Sequence, residues 1–310
     1  LGLLREVAQL YETRINDKPK AFERYLAAFE LYPSDEQSQA DMERAAQLTG
    51  NWDAVIQAYR AAVENTDPAT ANALRLRLGR VLVEEVKRVD DALLEYRAVY
   101  ESEPDNTVAL GALESLYRQS ERWRDLLDVY TKKRELAADP DERKGILYEI
   151  ARLYESQIGD AASAIETYQA VLEDDPSDTV ALAALDHLYQ KTEQWEPYAD
   201  VLRRRIELAA EERVLVDLKF RLAETQAEHL DDEAGALENY REILFIDGDH
   251  EGARVALEGM LKKKALRGEA ASILEGIYET RGDWAKLIEA LEILADTASD
   301  SERKVGLLRK

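Results

Sequence analysis

The chain of 310 residues lacks cysteine altogether, which excludes disulfide bonds, thiolate metal ligands and cysteine nucleophiles. It has only 7 prolines and 14 glycines, a composition that favours helices over disorder. No apolar run approaches the roughly 20 residues that a membrane-spanning helix needs, and no signal-peptide pattern opens the sequence. We therefore expect a chain that folds around a hydrophobic core and does not insert into a membrane.

Positive charge is also in short supply. The 41 lysines and arginines stand against 64 aspartates and glutamates, which gives a formal net charge of −23 at pH 7. Over most of such a surface, phosphate backbones and anionic membrane surfaces are repelled. The composition therefore predicts protein or peptide partners, with basic segments favoured, and no nucleic acid.

What the sequence does contain is a repeat. Trp52, Trp123 and Trp195 are spaced 71 and 72 residues apart, and the segments 109–117 and 181–189, which precede two of them, are closely similar. Apolar residues recur at helical spacing, and no segment alternates as a strand does. This self-similarity predicts a single elongated, all-α array whose units contain four helices each. The approximate units are 1–67, 68–138, 139–210 and 211–298.

Both ends of the sequence fall inside a repeat. Residues 3–12 match residues 146–155, and residues 301–308 resemble residues 140–147, so 299–310 reads as the start of a further repeat. We expect a fragment of a longer, bacterial-type repeat protein, whose truncated ends can stack on another copy. We take the cytoplasm as the default location and keep the periplasm as an alternative.

The first hairpin of each unit resembles the tetratricopeptide repeat (TPR). In the third unit the family's small residue matches Ala151, its aromatics match Tyr154 and Tyr168, its second-helix alanine matches Ala164 and its closing proline matches Pro176. The equivalent residues of the first two units are Ala8, Tyr11, Ala21, Tyr25 and Pro33, and then Gly79, Leu82, Ala92, Tyr96 and Pro104. The resemblance implies a right-handed α-solenoid of about 17–18 helices, stacked as antiparallel hairpins, that binds protein segments on its concave face. The aromatic residues and the tryptophans are expected to pack in its core.

The fourth unit departs from the pattern, because Trp284 follows Trp195 by 89 residues where 72 are expected. About one helix is therefore expected to be inserted near residues 252–268. We expect a kink or a special surface there, and an insertion without a function is the alternative.

No catalytic constellation is found. The sequence contains no phosphate-binding glycine loop, no HExxH motif and no nucleophile elbow. Among its three histidines only His250 stands among acids, and residues 247–251 offer too few oxygen ligands for a divalent cation. We expect no enzyme activity, no cofactor and no metal, and a capped turn at His250.

Two sets of residues are candidates for binding a partner. If the first helices line a concave groove, as the resemblance implies, its residues include Arg5, Gln9, Glu12, Arg80, Tyr148, Arg152, Glu155, Phe220 and Glu224. An acidic ladder at one register position of the second hairpins comprises Glu43, Glu114, Asp186 and Glu258. The ladder either grips a basic peptide or pairs with lysines and arginines of its own chain.

These patterns predict a non-catalytic scaffold that binds protein or peptide segments along its surface. The alternative is a regulatory or substrate-recruiting region of an enzyme whose catalytic domain lies outside this sequence. An RNA-processing repeat would need a coherent basic stripe, which this acidic chain lacks.

Overall fold

The computed structural model describes residues 2–298 and residue 304. Within these residues the chain forms seventeen α-helices and no strand, which confirms the all-helical prediction. The helices are α1 (Gly2–Leu10), α2 (Lys18–Leu31), α3 (Glu36–Thr49), α4 (Trp52–Glu64), α5 (Pro68–Glu84), α6 (Val89–Ser102), α7 (Thr107–Gln119), α8 (Trp123–Leu136), α9 (Pro140–Arg152), α10 (Ala161–Asp174), α11 (Thr179–Lys191), α12 (Trp195–Leu208), α13 (Glu212–His229), α14 (Glu233–Ile246), α15 (Glu251–Met260), α16 (Arg267–Arg281) and α17 (Trp284–Thr297). Short π-helical segments, Tyr11–Ile15 and Leu153–Ile158, continue α1 and α9. None of the described helices combines the length and the apolar character that a membrane span requires.

The chain divides into two compact units, Leu1–Ile158 and Gly159–Lys310. In the first unit each helix from α1 to α9 packs against the next one along the chain, and in the second unit the same holds from α10 to α17. This succession of neighbours is what stacked helical hairpins produce. Apolar side chains from every helix of a unit fill the space between them, as Phe29 and Tyr59 do in the first unit with ring centroids 5.0 Å apart.

Side-chain caps begin many of the helices. Asp139 accepts a hydrogen bond from the backbone N–H of Asp141 at 3.2 Å, and Pro140 follows it at the first helical position. Asp178 caps α11 by accepting from Ala181 at 2.9 Å, and the Nδ1 atom of His250 caps α15 by accepting from Ala253 at 3.1 Å. An N-cap side chain satisfies a backbone donor that the helix itself leaves free. His250 therefore has the structural role that its sequence context predicts.

Left-handed backbone recurs at two register positions. It lies eight residues after the small residue of each first hairpin, at Asn16, Lys87, Gly159 and Asp231. It also lies two residues before each tryptophan, at Gly50, Glu121, Glu193 and Gly282. A left-handed residue after the last turn lets the chain reverse while the final carbonyls stay hydrogen-bonded. The turn geometry is thus kept even where the residue is not glycine.

Most of the aromatic residues at family positions lie in the core, as predicted. Tyr25, Tyr96 and Tyr168 are buried, and the half-buried Tyr11 and Tyr154 pack against the core of the first unit. Trp52 and Trp123 pack against the same core. The prediction is wrong for Trp284, which is 64% exposed. Its helix α17 lacks, among the described residues, the following helix that covers α4, α8 and α12.

The fourth repeat contains an additional helix. Residues 251–298 form α15, α16 and α17, whereas the other repeats place two helices at this point. Helix α15 begins in the register of α11 but ends at Met260, and a turn through residues 261–266 leads to α16. The sequence prediction placed the inserted segment at 252–268, in the same region.

Candidate functional site

The first helices contribute polar side chains to a cleft of about 530 Å³ near the start of the chain. Three predicted groove residues, Arg5, Gln9 and Glu12, line it. The guanidinium of Arg5 binds the carboxylate of Asp41 in α3 at 2.9 Å. Gln9 is exposed, and so is Thr13, which stands one turn later in the same wall. The cleft is therefore a groove between α1 and α3 with a charged floor and an accessible polar wall.

At the end of this groove, Glu12 links the side chains of Arg44 and Tyr25. Its carboxylate binds both Arg44, at 2.8 Å for the Nη2 atom, and the hydroxyl of Tyr25, at 3.1 Å. The Arg44 guanidinium also lies 5.3 Å from the centre of the Tyr25 ring. The hydrogen bond from Arg44 lowers the pKa of Glu12, whereas burial acts in the opposite direction. The pair therefore stays charged at neutral pH and shapes the groove.

Three further predicted groove residues lie on α9 and its π-helical extension. Arg152 is exposed and pairs with Glu149 of its own helix at 3.4 Å. Tyr148 and Glu155 are half-buried. On α9, therefore, the structure presents one exposed arginine, Arg152, with the carboxylate of Glu149 beside it.

The remaining candidates divide between the two units. Arg80, in the first unit, donates to Glu43 at 2.6 Å. Phe220, on α13 of the second unit, is half-buried between the rings of Tyr240 and His250, with centroids 5.9 and 5.0 Å away. Glu224, one turn later, is exposed and lines a smaller cleft together with Trp195. Arg80 is therefore held by its own chain, and Glu224 faces solvent.

All four acids of the ladder have intramolecular partners. Glu43 accepts from the hydroxyl of Tyr59 and from Arg77 at 3.3 Å, as well as from Arg80. Glu114 binds Lys133 at 2.6 Å and Arg118 at 3.0 Å, and Tyr130 donates to it at 3.3 Å. These contacts agree with the second interpretation of the ladder, in which its acids pair with lysines and arginines of the same chain. A role of the ladder in binding a partner stays a prediction.

The third ladder acid, Asp186, is also paired with basic residues of its own chain. Asp186, with 3% of its surface exposed, binds Arg205 and Arg221, and Arg221 also donates to the Tyr198 hydroxyl at 2.6 Å. Burial, followed by the charge of Arg221, lowers the pKa of Arg205. The positive charges of two guanidinium groups are therefore compensated by a single buried carboxylate.

Glu258 lies at the same register on α15. It accepts from Arg254 at 2.6 Å, from Lys286 at 2.8 Å and from the Tyr278 hydroxyl at 3.0 Å. Burial raises its pKa, but the bonds from Lys286, Tyr278 and Arg254 outweigh burial, and the pKa lies below its ordinary value. In each repeat, therefore, the acid is joined to a tyrosine either directly or through an arginine.

The sequence interpretation missed these tyrosines as partners of the acids. A signal was present, because Tyr59 and Tyr130 both stand seven residues after a tryptophan and so lie on the same face of its helix. The stack of Trp195 on His229, with centroids 3.8 Å apart, left no such periodic signal. Among the described residues no group of three or more potential ligands is arranged to hold a metal ion.

Family models described as tetratricopeptide repeat match residues 109–144 and 146–178. No curated protein matches the chain. Among solved structures, a human IFIT1 dimer with PPP-AAAA has 17% identity and a TM-score of 0.35, over 92% of this chain and 69% of its own.

Two other solved structures are described as TPR proteins. YrrB, whose structure is described as having an unusual peptide-binding site, has 16% identity and a TM-score of 0.34, over 66% of this chain and 99% of its own. A protein from Parabacteroides merdae has 16% identity and a TM-score of 0.32, over 93% of this chain and 97% of its own. Such values transfer no function. The chain is therefore an all-helical repeat protein that resembles the tetratricopeptide repeat, and models of that family match it at residues 109–144 and 146–178.

Proposed function

We propose that this chain is a non-catalytic scaffold that binds segments of other proteins, with the groove between α1 and α3 as one binding surface. The observation that carries the proposal is the groove itself. It combines a volume of about 530 Å³, a floor held by two ion pairs, and exposed polar side chains at Gln9 and Thr13. A helical-repeat surface of this kind suits an extended segment with many weak polar contacts.

The charge of the chain favours a basic segment. The formal net charge is −23, and the arginines of the groove, Arg5 and Arg44, are already paired with Asp41 and Glu12. A lysine-rich or arginine-rich partner is therefore attracted over long range, whereas an acidic one is repelled. This attraction is screened by salt, so binding weakens as the ionic strength rises.

Selection from a random-peptide library tests the proposal. The groove variant is Gln9→Arg/Thr13→Arg. It places two long cationic side chains in the wall and leaves the four residues of the two ion pairs unchanged. The control variant is Glu23→Arg/Gln57→Arg, at two exposed positions that do not line the groove. We expect the wild-type chain and the control to enrich peptides containing lysine or arginine, and the groove variant to lose them.

Two results would contradict the proposal. Peptides that bind the groove variant as well as the wild type would show that this groove is not the binding surface. Selected peptides without lysine or arginine enrichment would remove the preference for basic segments.

A further inference from the structure

A second cleft, of about 160 Å³, lies in the second unit between the end of α11, the start of α12 and the later half of α13. The rings of Trp195 and His229 lie in its wall, stacked 3.8 Å apart and within 5° of parallel. The carboxylates of Glu224 and Glu228 belong to the same lining. The volume is that of the end of one long side chain, not of a folded element.

The acids of this cleft break the pairing pattern of the other repeats. Glu224 stands at the register of Arg80 and Arg152, one residue after the small residue of the first hairpin. Both arginines bind a carboxylate of their own chain, at 2.6 and 3.4 Å. Glu224 and Glu228, by contrast, have no salt bridge to any cation within the described part of the chain.

The arginine in the same lining, Arg221, forms no ion pair with either glutamate and has other partners. It binds the carboxylate of Asp186 and donates to the hydroxyl of Tyr198 at 2.6 Å. Glu224 and Glu228, four residues apart on one helix, repel each other. Burial and the charge of Glu228 together raise the pKa of Glu224. The lining therefore carries an excess of negative charge, because its two glutamates stand against the single arginine, Arg221, whose guanidinium is already bound to Asp186.

An indole ring beside two carboxylates is a favourable environment for a cation. Tryptophan attracts ammonium and guanidinium groups over the face of its ring more strongly than the other aromatic side chains do, and at Trp195 this concerns the face that the stacked His229 ring leaves uncovered. The carboxylates add charge-assisted hydrogen bonds to the same group. A neutral side chain gains neither contribution.

We propose that this cleft binds the cationic end of a lysine or arginine side chain from a protein partner, held by Glu224 and Glu228 beside the Trp195 ring. The proposal rests on the scaffold function above and names one recognition point for its basic partner. It is distinct from the groove between α1 and α3, which belongs to the first unit.

Titration of the protein with Nα-acetyl-lysine N-methylamide and the corresponding arginine derivative tests the cleft. The readouts are the indole N–H resonance of Trp195, assigned with Trp195→Phe, and the ring resonances of His229. We expect saturable shifts with both probes, and none with the neutral norleucine and citrulline derivatives. The variant Glu224→Gln/Glu228→Gln should bind at least about tenfold more weakly.

The matched control is Glu207→Gln/Glu211→Gln, which makes the same change of net charge at two exposed residues outside the cleft. It should bind as the wild type does. Equal shifts with the citrulline derivative, unchanged binding by Glu224→Gln/Glu228→Gln, or equal weakening in the control would overturn the proposal. If library peptides still bind the wild-type groove in that case, only this recognition point is wrong. If the cleft binds the cations while the library yields no peptides, the scaffold function fails instead.

Discussion

A methyl group added to Gly79 would lie 2.6 Å from the Cζ atom of the Tyr96 ring. Both residues are buried, and Tyr96 packs in the core of the first unit. The small residue of the first helix and the aromatic residue of the second are thus one steric pair, formed where α5 and α6 approach each other. The sequence resemblance supplied both positions, and the structure supplies the reason for glycine at the first of them.

Gly79→Ala should therefore destabilise the first unit. Overpacking of this kind costs about 1–3 kcal/mol, because the ring has to shift within a filled core. Gly111→Ala is the matched control, since it adds the same methyl group to a helix at an exposed site with no atom within 4 Å. It should raise stability by up to about 1 kcal/mol, the helix propensity difference. Urea unfolding of both variants checks the pair, and equal effects would contradict the steric explanation.

The left-handed turns predict a gain in stability. Glu193 has a φ of 56°, a conformation that costs a residue with a side chain about 1 kcal/mol relative to glycine. Glu193→Gly should raise the unfolding midpoint, even though it removes a side chain. Glu166→Gly, at an exposed site within α10, should lose about 1 kcal/mol. Thermal unfolding of the two variants in opposite directions is the expected result; a loss in both would show that the turn is not strained.

Substitution of Asp186, the buried acid of the ladder, is expected to cause the largest loss of stability. Asp186→Asn keeps the shape of the side chain but leaves Arg205 and Arg221 without a counter-charge. Removing one partner of a buried ion pair costs about 3–5 kcal/mol. Glu207→Gln, on the same helix as Arg205 but exposed, should stay within about 0.5 kcal/mol of the wild type. Chemical denaturation measures both, and a small effect of Asp186→Asn would mean that the two arginines find other partners.

Glu114 predicts a dependence of stability on pH. Burial raises its pKa, but the hydrogen bond and charge of Lys133, with those of Arg118, outweigh burial, so the pKa lies below its ordinary value. Charged Glu114 therefore stabilises the fold above the unfolded glutamate pKa of about 4.3, and this contribution is lost as the pH falls through the lower folded-state pKa.

The stability difference between wild type and Glu114→Gln should accordingly be largest at neutral pH and shrink on acidification below about pH 4. Denaturant unfolding across that range measures it. The exposed Glu101 provides the control, because it makes no ion pair in the described structure. Glu101→Gln should show little difference at any pH. A gap for Glu114→Gln that is the same at pH 7 and at low pH would refute the assignment.

Much of the fold follows from local signals in the sequence. Caps such as Asp139 with Pro140 and the recurring tryptophans predict the ends of individual helices, because capping and helix propensity act within a few residues. The additional helix before Trp284 follows from spacing alone. The partners of the acids do not follow, because Glu43 meets Arg77 and Arg80 from a helix more than thirty residues away. Trp284 shows the same limit, since its exposure depends on what lies beside α17 and not on its own helix.

The contacts of Glu43 also bear on how the hairpins are ordered. Its partner Arg77 stands two residues before Gly79, and the residue in that place on α9 is Glu149, two before Ala151. If α9 followed α4 in place of α5, the carboxylate of Glu149 would stand where Arg77 now meets Glu43, while Arg152 would keep the place of Arg80. The hairpins are therefore not interchangeable building blocks. At this contact the charges favour the natural order of the hairpins, because the exchange would replace one of the two ion pairs of Glu43 by a repulsion.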